Sequence, residues 1–215
     1  MCELGDRCDT VELQHAITPQ IPLRLVGEFT GAHTVPPAGC GYFSGFALKK
    51  LHDHSTEDLA EVRASRLDVY QARENFLIQQ NVITDEGRIL THRHQHPLMF
   101  ADAIPYLTFL GLTGYAVHEV LGAINAANVC EKINTHMAAS PPTHGLMVAH
   151  LLSGQNAHWM SILRRIASGG FLVYDPCGAG GFADHVRVIT PERMSQFYGR
   201  FPWSHIIGAP LSTTH

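Results

Sequence analysis

An α+β fold, with helices ahead of an antiparallel sheet, is what this sequence predicts. Three observations carry that expectation. Apolar residues recur at helical spacing in several segments between residues 39 and 140. After Pro141 and Pro142 the pattern changes to short β-like runs separated by Gly-rich turns. The chain, 215 residues with 45% hydrophobic and 16% charged content, suits one globular domain with a real core. We therefore expect a single domain over residues 1–215. It comprises an irregular segment at about 1–38, a helical part at 39–140 and a sheet part at 141–215.

Residues 1–38 show no sustained period, although IPLRLVGEF is a candidate short strand. HTVPPAGC reads as loop, because Pro36 and Pro37 block a helix and Gly39 permits a tight turn. A helix is predicted over about residues 41–51, with Phe43, Phe46, Ala47 and Leu51 at helical spacing. Gly45 inside it costs roughly 1 kcal/mol against Ala, which a close packing contact would explain. Ser55 as N-cap, with Asp58 three residues on, opens a second helical stretch. Along it Leu59, Val62, Leu67, Tyr70, Phe76 and Leu77 line one apolar stripe, as one long helix or two. NVITDEGRILTHRHQHP reads as loop with room for a small hairpin. LMFADAIPYLTFLGLTGYAVHEVLGAINAANVC reads as further helix, broken near Pro105 and the glycines.

In the last third, GLMVAHLLS, HWMSILRRIA, GGFLVYDP and HVRVITP are predicted strands. Ser168, Gly169 and Gly170 form a hairpin turn between the second and the third. TPERMSQFYGRF then reads as a surface helix capped by Thr190.

Composition excludes several function classes. A formal charge of −4 without a basic block argues against a nucleic-acid partner, since phosphate binding needs clustered Lys and Arg. The five cysteines, Cys2, Cys8, Cys40, Cys130 and Cys177, are odd in number and contain no Cys-x-x-Cys pair. That disfavours a zinc ribbon and a disulfide framework and points to reduced thiols. The acidic, polar start MCELGDRCDTVELQ is unlike a secretory signal peptide. The most apolar stretch, 103–117, falls short of the ~20 residues of a membrane span and contains Pro105, Gly111 and Gly114. The expected location is the cytoplasm, or a target cell reached through a dedicated secretion system, with no membrane partner.

The chemistry is carried by three separated residues. Cys40 stands at the mouth of the first predicted helix, where the partial positive charge and free N–H groups favour a thiolate. Its own N–H is a candidate oxyanion donor. His158 opens one predicted strand, and Asp175 closes the next. Across the hairpin the two come side by side, so that the carboxylate can hold the imidazole in one tautomer. Each has a plainer reading taken alone: a buried apolar cysteine, a surface histidine beside a core tryptophan, a turn aspartate before Pro176. Their joint placement is what favours a nucleophile, a base and an orienting group. Asp184 and Asn156 are alternative partners for the imidazole.

Other candidates are weaker. His92, His94 and His96 alternate and would suit a metal ion, but such a run in a polar loop is more often solvated, and no metal or other cofactor is expected. His144 and His150 rival His158 as base, although His150 sits in an apolar run that suggests a core histidine. The glycine-rich 177–181 lacks the lysine and spacing of a phosphate loop.

These same segments resemble the papain-like cysteine proteases, in particular compact bacterial peptidases that process bacteriocins and papain-fold effector deamidases. The likeness lies in Cys-Gly opening a helix, His-Trp opening a strand, and a hydrophobic strand ending in Asp-Pro, in the order Cys, His, Asp. It covers about residues 30–60 and 144–190. It implies a papain-like domain, with the nucleophile helix and a helical part packed on the C-terminal sheet. Cys40 becomes the nucleophile, His158 the general base and acid, and Asp175 the orienting residue. Gly39, Gly41 and Trp159 would line the substrate cleft. Many members place a glutamine shortly before the cysteine as oxyanion donor; here His33 and Thr34 occupy that stretch, leaving Gln20, Gln155 and Asn156 as candidates. The implied activity is hydrolysis of an amide bond in a protein substrate by an effector- or toxin-like cysteine protease. Glutamine deamidation or transglutamination on the same scaffold and an inactive binding module are the alternatives. The partner would be a host or competitor protein, with an accessory or immunity protein alongside. Residues 82–142 carry no assigned role.

Overall fold

The computed structural model of the chain describes residues 39–53, 66–82, 97–120, 124–125, 127–141, 144–151, 157–166, 169–176, 186–197 and 203–209. In chain order these form α1 (Cys40–Asp53), α2 (Arg66–Gln79), α3 (Phe100–Phe109), β1 (Ala116–Val120), α4 (Val129–Ala139), β2 (Leu146–Leu151), β3 (Ala157–Arg165), β4 (Phe171–Tyr174), β5 (Val186–Ile189), α5 (Pro191–Phe197) and β6 (Trp203–Gly208). The strands make one antiparallel sheet in the order β1-β6-β2-β3-β4-β5. The architecture is thus α+β. The candidate strand in the N-terminal segment, the Ser55 cap and the His92, His94 and His96 run lie outside the described residues.

Both faces of the sheet are covered. Met147, Ala149, Trp159, Leu163, Leu172, Tyr174 and Ile207 pack with α1, α2 and α3, around Tyr42, Phe43, Leu48, Phe76, Tyr106 and Leu107. The alternate residues Leu146, Val148, Met160, Ile162, Phe171, Val173 and Ile206 pack with α4 and α5 through Val129, Ile133 and Met194. This two-sided burial explains the nearly continuous apolar runs of the strands. Successive side chains point to opposite faces, and here each face meets a helical layer.

The helix ends follow from local chemistry. Past α3, Gly111 adopts φ 85°, Leu112 N–H reaches the Leu107 carbonyl at 2.9 Å, and Gly111 N–H reaches Thr108 at 2.9 Å. That is a Schellman end, with Leu107 and Leu112 both buried as its hydrophobic contact. Asn81, at φ 57°, ends α2 in the same way, with Val82 N–H on Leu77 and Asn81 N–H on Ile78. The N–H of Arg193 donates to Oγ1 of Thr190 at 3.3 Å, the cap expected for α5.

Three expectations are corrected. Pro105 does not break the helix, because α3 runs through it. The only intrahelical bond it forfeits is to Ala101, and both residues lie on the exposed face, where water can serve that carbonyl. The segment read as continuing helix holds β1, so the part 39–140 is not wholly helical; β1 forms because β6 offers it a partner 85–92 residues further on, as in Ala116 opposite Gly208. Finally, β6 was not anticipated, although it is a central strand between β1 and β2.

Candidate active site

The site begins at the head of α1. Gly39 precedes the helix, and its carbonyl accepts the N–H of Phe43 at 3.2 Å, the first intrahelical bond. The N–H groups of Cys40, Gly41 and Tyr42 therefore have no acceptor within the helix. No acidic residue occupies the first turn to neutralise their partial charge. Cys40 is a free thiol and partly exposed, whereas the nine residues from Gly41 to Leu48 and Leu51 are buried. Cys40 is thus the one residue at this helix end that is not fully buried among those described.

The helix is held to the sheet by small residues and one buried hydrogen bond, and a second ties the sheet to Leu98, which packs on the helix. A Cβ on Gly41 would lie 2.6 Å from Cβ of Leu98 and 3.0 Å from Cδ1 of Trp159, so the backbone there is in direct contact with both. The Trp159 indole donates to the Leu98 carbonyl at 3.0 Å, and the hydroxyl of Ser161 donates to the Ser44 carbonyl at 2.8 Å. Gly41 and Trp159, expected at a substrate cleft, are both buried and lie in contact where α1, Leu98 and β3 meet. Trp159 is only 2% exposed.

His158 lies one residue into β3, and Asp175 lies one residue beyond β4. The turn between the strands is the expected one: Gly169 takes φ 87°, and Ile166 N–H meets the Gly170 carbonyl at 3.0 Å. In the register Ser161 pairs with Tyr174. Continued by one pair, it sets Asp175 diagonal to His158, within reach of a long side chain. Nε2 of His158 donates to Oδ1 of Asp175 at 2.8 Å, with the two side chains 1% and 2% exposed. Burial works against the charged ring, but the charge and hydrogen bond of Asp175, followed by the hydrogen-bonding influence and charge of Cys40, raise it well above the ordinary histidine value. The other ring nitrogen, Nδ1, is buried without a hydrogen-bond partner among the described residues.

The rival histidines are elsewhere in chemical terms. His144 meets His52, ring centroids 5.4 Å apart, near the C-terminal end of α1. Twelve residues of helix separate His52 from Cys40, roughly 18 Å at 1.5 Å per residue, so His144 cannot serve that thiol. His150 is fully buried, edge-on to His158 at 5.1 Å. Burial first, and the charge of His158 second, push its ring down to about 3 against an opposite pull from Asp175. That shift favours its neutral form and weakens it as a base. Gln20, Gln155, Asn156 and Asp184 lie outside the described residues, as do Cys2, Cys8 and Cys177. Leu98 and Ser161 escaped the sequence reading, because neither a leucine carbonyl nor a lone serine in an apolar run carries a motif.

No known protein family matches this chain, and no curated protein matches it in sequence. Among solved structures it is similar to the crystal structure of the Pseudomonas avirulence protein AvrPphB, with a TM-score of 0.44 and 9% sequence identity, over 78% of this chain and 90% of that chain.

Proposed function

We propose that this chain is a cysteine-dependent hydrolase of the papain-like type, acting on an amide bond of a protein substrate. The observation that carries the reading is the buried His158–Asp175 hydrogen bond beside a partly exposed thiol at the head of α1. A buried imidazolium–carboxylate pair is costly unless geometry and function retain it. A thiol next to it is the combination that thiol-based acyl transfer needs.

In this mechanism the Cys40 sulfur attacks the amide carbon, and the carbonyl π electrons move to oxygen. The free N–H groups at the head of α1 stabilise that oxyanion. The His158 imidazolium then gives its proton to the leaving amine as the C–N bond breaks, leaving a thioester on Cys40. Neutral His158 takes a proton from water, hydroxide attacks the thioester, and the thiolate–imidazolium pair returns. Asp175 orients the ring and favours its charged form throughout. A backbone amide makes the reaction proteolysis, and a narrow target, as for an effector or toxin, is part of the proposal on the strength of the resemblance to compact effectors.

The test is alkylation of Cys40 by iodoacetamide at pH 6, read by peptide mass spectrometry. Wild type should react at least tenfold faster than His158→Ala. Equal rates in two folded proteins would remove the basis of the proposal. Cleavage is then sought by mapping new N-termini in a proteome digest, with Cys40→Ala as the control.

A further inference from the structure

His150 is a second imidazole in the same buried place, and the mechanism above leaves it idle. It stands directly opposite His158 in the β2–β3 ladder, with Val148 opposite Met160 as the next pair on the same face. The two rings lie 5.1 Å apart at 66°, an edge-to-face arrangement, and both residues are at most 1% exposed. On the far side, β6 sets Trp203, an uncharged residue, at the position paired with His150.

We infer that His150 is a positioning residue, whose uncharged ring buttresses the His158 imidazole and keeps it aligned between Asp175 and Cys40. The inference rests on the catalytic reading of Cys40, His158 and Asp175. Three features support it. Edge-to-face rings constrain each other's rotation. A ring at this position fills space that water would otherwise enter, and water would weaken the His158–Asp175 pair. Among the described residues the charges that act on His150 are those of His158 and Asp175, and a neutral ring does not compete with His158 for the carboxylate. A charged side chain there would.

The experiment measures Cys40 alkylation by iodoacetamide from pH 5 to 9 in wild type, His150→Ala, His150→Phe and His158→Ala, each shown folded by circular dichroism at the assay temperature. Phenylalanine restores a flat, somewhat larger ring without a titrating nitrogen. At pH 6 His150→Ala should lose roughly tenfold in rate, while His150→Phe should stay within about threefold of wild type. The histidine ring resonances should agree, with the His158 titration displaced in His150→Ala and retained in His150→Phe. An unchanged profile in His150→Ala overturns the inference, and so does a His150→Phe profile as impaired as that of His150→Ala. If His158→Ala already matches wild type, the catalytic reading itself falls and takes the inference with it. That outcome is recognised by the His158 control alone.

Discussion

Asp175 is the residue on which the site turns, because its charge and hydrogen bond, ahead of those of Cys40, do most to offset the burial of the His158 ring. Asp175→Ala should leave a buried imidazole unpaired and cost about 3–5 kcal/mol in urea unfolding. Asp175→Asn keeps an acceptor without its charge and should cost less, yet still slow Cys40 alkylation at pH 6 several-fold. The pH dependence has a definite sign. A ring held above its ordinary value stabilises the fold fully below about pH 6.5 and loses that contribution as pH rises through the raised value. The stability gap between wild type and Asp175→Ala should therefore be widest near pH 6 and narrow toward pH 9. His150 has the opposite sign. Its ring is pushed down to about 3, so its contribution is present above pH 6.5 and fades as the solution is acidified. The urea midpoint of His150→Phe should gain on wild type between pH 7 and pH 4.5; a constant difference would show that His150 does not titrate in this way. Cys40 and Asp175 stand out in the sequence because each sits at an element boundary marked by glycine or proline, and His158 because it follows a polar turn and precedes Trp159. The pairing of His150 with His158 was not, since it depends on a strand register that no local pattern encodes.

At the scale of elements, the docking of α1 explains a helix-interior glycine. A Cβ on Gly45 would stand 2.8 Å from Cε1 of Tyr106. That ring cannot yield easily. It is fully buried, its hydroxyl donates to the Tyr42 carbonyl at 3.2 Å, and it meets Tyr42 and Phe76 edge-on at 5.1 and 5.2 Å. Gly45→Ala gains about 1 kcal/mol of helix propensity but loses about 1–3 kcal/mol to overpacking. A net loss of stability is expected, and a net gain would mean that α3 can shift away from α1. Ser161→Ala, which removes the hydroxyl bound to the Ser44 carbonyl, should cost about 1 kcal/mol by the same measurement. Elements with local signals were legible: α1 from its apolar spacing, the β3–β4 hairpin from its glycines, α5 from Thr190. β1 and β6 were not. Their five- and six-residue stretches, AVHEV and WSHIIG, carry short mixed patterns that fit helix or strand equally, and each becomes a strand because the other lies beside it.

The whole molecule places the proposed nucleophile in one layer and its base in another. Cys40 belongs to the helical layer on one face, and His158 and Asp175 belong to the sheet. Nothing local keeps them together; the Ser161–Ser44 bond closes 117 residues of chain, and the Trp159–Leu98 bond closes 61. The proximity of thiol and imidazole is therefore a property of the assembled fold. Two outcomes can be separated in urea. If the layers come apart as one unit, the advantage of Cys40 over an ordinary thiol at pH 6 should vanish along the same transition as the far-ultraviolet circular dichroism signal. If α1 undocks first, alkylation falls to the background rate at lower urea, while the sheet signal persists. We expect coincidence. The contacts that join α1 to β3 are largely apolar and buried, and the aromatic cluster of Tyr42, Phe76 and Tyr106 is continuous with Trp159 and Tyr174 on the sheet. Local opening requires few buried apolar contacts, which is the reverse of this interface. An early loss of Cys40 reactivity would show that the interface is weaker than its packing indicates, and would make the docking of α1 the step on which the site depends.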